Sequence, residues 1–312
     1  EILKKIEPVS APLNLFAEIF NGIQTSAERP QPIYWFSGDE IINENEDTIT
    51  VKKEDKVYSI EKKILKPYFK PTKKAEKGLT TYNILSTDKR IIFPYDGEGH
   101  LIPIDTMKSD YPGAYAYLLD YYDRLVPKCV SDEGIRDVPN ATADTWYQYG
   151  RTQALTAFID TPKLIVKVMA KDNPMYAMDK ADMLIASGGT AGYCAVAQKS
   201  GSPYELEYIQ AWLANSYTEK IFNIVGSDFE GGFISRGTFV LSSLPFVNLD
   251  FDDPKQKTIY DRVVEASREV YGINEKLSKK PSKQVETTLV RQKTALIKEI
   301  DELISHVYRL EF

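Results

Sequence analysis

From Asp253 onward the sequence changes character, and this stretch most narrows what the chain can become. Asp253-Pro254, with Gln256 three residues after the Asp, is a helix start. Asp serves as N-cap, Pro occupies the first helical position, where its missing N–H is no loss, and Gln answers the cap. Ile259, Val263, Ala266, Val270, Ile273 and Leu277 then recur at helical spacing and form one apolar stripe. Lys279-Lys280-Pro281 breaks it. Val285, Leu289, Leu296, Ile300, Leu303, Val307 and Leu310 make a second stripe, close to a heptad, with Gln292 in its gap. The pattern predicts a helical hairpin over 254–310 with a coiled-coil-like seam, inside a terminal unit spanning 254–312.

Upstream the signals are short and mixed. Leu13, Phe16, Ile19 and Phe20 predict a short helix that stops at Asn21-Gly22. PIYWF, DTITV and KVYSI read as strands between polar turns, the Lys/Pro segment 61–78 as a loop, and NILSTDKRIIFPY as a further strand pair. Residues 111–126 predict a helix with Tyr115, Leu118, Leu119 and Tyr122 on one face, and 127–145 reads as a connection. A strand at 163–170, the turn SGGTAG at 187–192, a strand in YCAVA and a helix at 204–217 follow. EGGFISRGTFVLSSLPF then reads as turn, strand and exit. The expected class is α/β (α+β), with mixed, mostly antiparallel sheets and the C-terminal two-helix hairpin. Residues 1–253 form the main unit, divisible into lobes 1–130 and 140–253.

Composition excludes several function classes. Two cysteines, Cys129 and Cys194, and two histidines, His100 and His306, rule out a disulfide scaffold and leave no Cys/His metal centre. No run of about 18 apolar residues occurs, so no membrane span is expected, and a reducing, cytoplasmic setting fits. The opening EILKKIEPVS has no Met and no charged-then-apolar leader, and reads as a piece of a longer chain. A net charge of −6 opposes nucleic-acid binding by the whole surface. Charge is nevertheless uneven: 61–78 hold seven Lys against two Glu, and 38–56 hold seven acids against three Lys.

Four stretches carry candidate chemistry. WYQYGRTQAL (146–155) offers Arg151, which can bond two acceptors on a base edge or a phosphate, beside rigid aromatic area that includes Tyr147. The alternative is that Trp146 and Tyr149 are core and Arg151 pairs locally; spacing alone does not choose. The loop Asn173-Pro174-Met175-Tyr176 is one residue from Asn-Pro-Pro-Tyr, the catalytic loop of DNA amino-methyltransferases. Met175 replaces its second proline, and no strand–GxGxxG–helix unit accompanies it, so the better reading is a strand leaving into an Asn-Pro turn. Gly188 and Gly189 in SGGTAG could let backbone amides approach a phosphate, against a hairpin turn that needs positive φ. The lysine run could grip phosphates, against an ordinary solvated loop.

The order of these pieces resembles the TaqI-like C-terminal specificity (target recognition) domain of N6-adenine DNA methyltransferases, including the fused type IIG restriction–modification enzymes. The resemblance is carried by WYQYGRTQAL, PKLIVKVMAKD (162–172), GGTAGY (188–193), YIQAWLANSY (208–217), EGGFISRGTFVLSSLPF (230–246) and IDELISHVYRL near the end. Upstream, FNGIQTSAERP is similar to the Gly-Ile-Gln-Thr-Gly stretch that opens such domains, with Ser26 in place of the last Gly, and ILKPYFK and RIIFPY also match. The resemblance implies a module that reads duplex DNA, with no catalytic residue, metal or cofactor of its own. S-adenosylmethionine would belong to an N-terminal methyltransferase domain of the parent chain, with or without an attached endonuclease. By position it implies base or backbone contacts from Gln24, Thr25, Arg151, Lys171, Ser235 and Arg236, and phosphate contacts from Lys66, Lys70, Lys73 and Lys74. Two other functions remain open: a protein-interaction or assembly module using the hairpin, and a methyltransferase using the 173–176 loop.

Overall fold

A computed structural model describes residues 1–70, 80–153, 155–158, 160–171, 174–180, 183–187 and 192–312. Its centre is a four-stranded antiparallel sheet in the order Ala177–Asp179, Lys163–Lys167, Tyr193–Gln198, Ala17–Asn21. The two inner strands, KLIVK and YCAVAQ, are apolar almost throughout because both of their faces are covered. Leu164, Val166, Cys194 and Val196 point into one core, whereas Ile165, Tyr193, Ala195 and Ala197 point into another. Successive side chains of a strand alternate between faces, so a continuous apolar run suits a wall between two cores. Each large aliphatic residue buried there contributes roughly 1.5–3 kcal/mol.

One core is mainly helical. Helices Leu206–Ala214, Ser216–Val225, Pro254–Ser278 and Lys283–Arg309 gather around Trp212, Val263, Ile304 and Tyr308. The other is mainly sheet, built on the order Leu184–Ile185, Leu65–Phe69, Arg90–Ile92, Trp35–Phe36 and on the meander Ile41–Glu44, Thr48–Lys53, Lys56–Glu61. Helix Pro112–Asp120 closes it with Ala114, Tyr117 and Leu118. Among the described strands the pairing is antiparallel except Leu184–Ile185 on Tyr68–Phe69. The chain is therefore of the mixed, mostly antiparallel α/β class with C-terminal helices packed together.

The helical hairpin forms as its caps and breaker dictate. The Asp253 carboxylate accepts the Lys255 N–H at 2.9 Å, and Gln256 donates to the other Asp253 oxygen at 3.1 Å. Gln256 accepts from Asp250 N–H rather than from the cap residue itself. Arg262 bridges to Glu299 on the second helix at 2.6 and 2.9 Å. The stripes do not make an isolated seam, however. Val263, Val270, Ile300 and Val307 belong to the same core as Trp212, while Val285 and Val290, toward the turn, are exposed.

Three local expectations fail. Residues 17–21 are a strand, not a helix, because pairing with Tyr193–Gln198 sends Ala17 and Phe20 into opposite cores. Leu65–Phe69, inside the expected loop, is a strand between Leu184–Ile185 and Arg90–Ile92. The helix near 111–126 turns Tyr117 and Tyr121 inward with Leu118 and leaves Leu119 exposed. Cross-sheet pairing and the position of the core decided each case, and neither shows in local spacing.

Candidate nucleic-acid interface

Four segments meet at one end of the central sheet. Register places Asn21 opposite Cys194, Tyr193 opposite Lys167 and Ala177 opposite Ile165. The chain therefore leaves this end through Gly22–Glu28 and Val168–Lys171, and enters it through Pro174–Tyr176 and Ser187. Gly22 fits because a Cβ there would lie 2.5 Å from both the Ile185 carbonyl oxygen and the Ser187 nitrogen. That close approach lets Ile23 bridge Ala186, and Ser187 N–H donate to the Ile23 carbonyl at 2.9 Å.

The GIQT and GRT stretches, more than a hundred residues apart in sequence, lie side by side. Gln24 and Arg151 form an antiparallel bridge in which Arg151 N–H donates to the Gln24 carbonyl at 3.1 Å, and Gly150 N–H donates to the Thr25 carbonyl at 3.1 Å. Ser26 takes the left-handed backbone conformation, φ 56°. The turn that a glycine would make easily is thus kept by a serine. Its side chain fills the space above Gly150, where a Cβ would fall 1.8 Å from Ser26 Oγ.

Two charged residues hold this junction. The Glu28 carboxylate accepts from Thr25 Oγ1 at 3.0 Å, Trp35 Nε1 at 3.2 Å and Lys70 Nζ at 2.9 Å. Arg136 is buried, with its guanidinium beside the Tyr34 ring. It donates to the carbonyls of Thr25 (2.7 Å), Gln148 (2.7 Å), Leu125 (2.8 Å) and Trp146 (3.2 Å), and to the Tyr34 hydroxyl at 3.4 Å. Burial raises the Tyr34 pKa, and the Arg136 charge opposes that rise. One cation thereby fastens the backbone just behind Gln24 and Arg151. Sequence reading missed both residues. Arg136 sits in an aperiodic stretch and carries no signal. Glu28 does carry one, the Thr25-x-x-Glu28 spacing, which recurs at Ser37-x-x-Glu40, where it forms a reciprocal cap.

The expected contact residues divide. Gln24 is exposed, with Nε2 at 3.5 Å from Ser187 Oγ. Arg151 reaches the surface and pairs with Asp137 at 3.0 Å. Lys171 is exposed and donates to the Gly231 carbonyl at 3.0 Å. Ser235, the last residue of strand Phe233–Ser235, lies opposite Met169 in a small sheet that also holds Met169–Ala170 and Asp228–Phe229. These four stand at or beside the same sheet end. Lys66 is half-buried opposite Ile91, and Lys70 is engaged by Glu28.

Three others are corrected by burial. Tyr147 is core, its hydroxyl donating to the Ile102 carbonyl, as Trp146 and Tyr149 are core. Thr25 is buried and turned toward Glu28. Arg236 is fully buried over the Phe222 ring at 4.5 Å and pairs with Glu219. All three side chains are buried within the chain. Lys73, Lys74, Gly188, Gly189 and Asn173 lie outside the described residues. Of the 173–176 loop, the Tyr176 ring is buried, its N–H donates to Thr81 Oγ1 at 3.2 Å, and its carbonyl accepts from Gln210 at 2.6 Å. It is therefore not free to stack on a base. Pro174 to Tyr176 instead line one wall of a 460 Å³ cleft that also meets Glu219, Lys293 and Asp301. Among the described residues no group of His, Cys, Asp and Glu is arranged to hold a metal, and no helix is long and apolar enough to cross a membrane.

By sequence the chain is related to a region of a restriction–modification enzyme. Over 251 residues, 79% of the chain, it is 33% identical to the type II restriction enzyme and methyltransferase RM.Eco57I of Escherichia coli. It spans 24% of that protein, about a quarter of its length. No protein-family model matches the chain.

Proposed function

We propose that this chain is the DNA sequence-recognition module of a bacterial restriction–modification enzyme that methylates adenine in DNA, and that it is not catalytic by itself. The finer reading is a TaqI-like specificity domain. It works beside an N-terminal methyltransferase domain of the parent chain, which binds S-adenosylmethionine, in the cytoplasm. The observation that carries the reading is the convergence at one sheet end of Gln24, Arg151, Ser187, Lys171 and Ser235, from segments that span most of the sequence. An amide, a guanidinium, an ammonium and hydroxyls offer the donors and acceptors that read base edges, and the flanking cations suit phosphates. Arg151 pairs with the Asp137 carboxylate and also donates to the Asp137 and Gly150 carbonyls, and Lys70 pairs with Glu28; phosphates can displace the two carboxylates. The acidic total charge confines binding to this local face.

A titration of the 312-residue chain against mixed-sequence duplex DNA at two salt concentrations tests the reading. Affinity should fall steeply with salt, with a logarithmic slope of about 0.9 per phosphate engaged. Arg151→Ala should weaken binding, and Lys70→Gln should weaken it with a smaller salt slope. Absence of binding at low salt, together with self-association, would favour the second reading, an assembly module. That reading is supported by exposed Val285 and Val290 on the second long helix. The buried Tyr176 ring speaks against a methyltransferase built on the 173–176 loop.

A further inference from the structure

Beside the junction of Gln24 and Arg151, the same sheet end carries a small open pocket of 170 Å³. Its lining includes Ala170, Tyr193, Met175 and Phe233, together with Lys167 and Lys171. Each wall is placed by the fold. Tyr193 is the first residue of an inner strand and faces Lys167 in register. Gly231 and Gly232 have φ of 81° and 78°, a turn only glycine makes readily, and deliver Phe233 to the strand that pairs with Met169–Ala170. Continuing that register sets Lys171 opposite Phe233. The Lys171 stem packs over Gly232, 3.6 Å from where a Cβ would stand, and its ammonium donates to the Gly231 carbonyl at 3.0 Å. Met175 and Phe233 are 45% and 40% exposed, more than apolar side chains of a closed core would be.

Size narrows the occupant. Pockets for drug-sized or cofactor-sized molecules run from roughly 300 to 1,000 Å³. A volume of 170 Å³ is too small for those and suits one flat ring. The aromatic and thioether walls match the face of a heterocycle, and the two ammoniums match phosphates on either side of it. We propose that this pocket takes a single nucleobase unstacked from duplex DNA, with Phe233 and Met175 against the ring and Lys167 and Lys171 on the adjoining phosphates. The proposal rests on the DNA-recognition reading above and names one thing that reading leaves open: the module holds a displaced base as well as base edges.

The test uses the whole 312-residue chain and three labelled duplexes of one sequence, compared by fluorescence anisotropy. One duplex is intact, one carries a single extra base as a bulge, and one carries the same bulge without its base. Stacking on aromatic side chains is worth roughly ten-fold or more in affinity per base. The base bulge should therefore bind about ten-fold tighter than the abasic bulge. In Phe233→Ala, and independently in Met175→Ser, that ratio should fall toward one; both residues are surface-exposed, and circular dichroism confirms that each variant folds. Equal affinity for the two bulges, or a ratio kept in both variants, overturns the pocket assignment while leaving the recognition module standing. No binding to any of the three duplexes overturns both.

Discussion

Replacing Arg136 with Met isolates the residue that ties the recognition segments together. Methionine keeps most of the buried stem volume and removes every donor. Five hydrogen bonds of 2.7 to 3.4 Å are lost, four of them to backbone carbonyls. Bonds from a charged donor contribute roughly 1.5–3 kcal/mol each, but desolvating a guanidinium takes back several kcal/mol. The Thr25 carbonyl also keeps its bond from Gly150 N–H. The net loss is then about 3–5 kcal/mol, a large share of the 5–15 kcal/mol that folded proteins typically possess. Urea denaturation followed by circular dichroism measures it. Hydrogen exchange read at single amides localises it: the Gly150 and Arg151 N–H groups, bonded to Thr25 and Gln24, should lose protection before the hairpin helices do. A stability change below about 1 kcal/mol, with both amides as protected as before, would refute the argument that this cation organises the site.

Other outcomes follow from the same geometry. Gly150→Ala should destabilise by about 1–3 kcal/mol through its collision with the Ser26 side chain, and Ser26→Gly in the same chain should remove most of that loss, because the next nearest atom, the Ser26 Cα, stands at 3.5 Å, an ordinary contact. A double-mutant cycle showing coupling near zero would contradict the contact. Stability should fall in alkali. Burial pushes the Cys194 thiol and the Tyr204 phenol up to about 12, and raises Tyr149, Tyr208 and Tyr308 as well. Each keeps its proton in the native state after the unfolded chain has lost it, so this contribution is whole below the unfolded values, about 8.5 for Cys and 10 for Tyr, and is lost as pH rises toward the folded ones. A urea midpoint that does not decline between pH 7.5 and 10.5 would exclude this. In native protein a maleimide should label exposed Cys129 and spare Cys194, which should react only in denaturant.

The sequence by itself determined the elements whose causes are local. Asp253-Pro254 started a helix, Lys279-Lys280-Pro281 broke it, and Leu206, Ile209, Trp212 and Leu213 turned inward at helical spacing as read. The apolar runs KLIVK and YCAVA were legible as strands, and the order of motifs pointed to a restriction–modification relative. Only the tertiary structure decided what depends on partners distant in sequence. Residues 17–21 became a strand because Tyr193–Gln198 offered a ladder, and side-chain spacing holds no record of that partner. Tyr147, Thr25 and Arg236, each polar and plausible at a surface, went inside because their donors found Ile102, Glu28 and Glu219 there. Arg136 was invisible as a single cation in an aperiodic stretch, since its role exists only where four separate carbonyls converge. Local patterns record propensity and caps, whereas burial and hydrogen-bond closure depend on which segments the fold brings together.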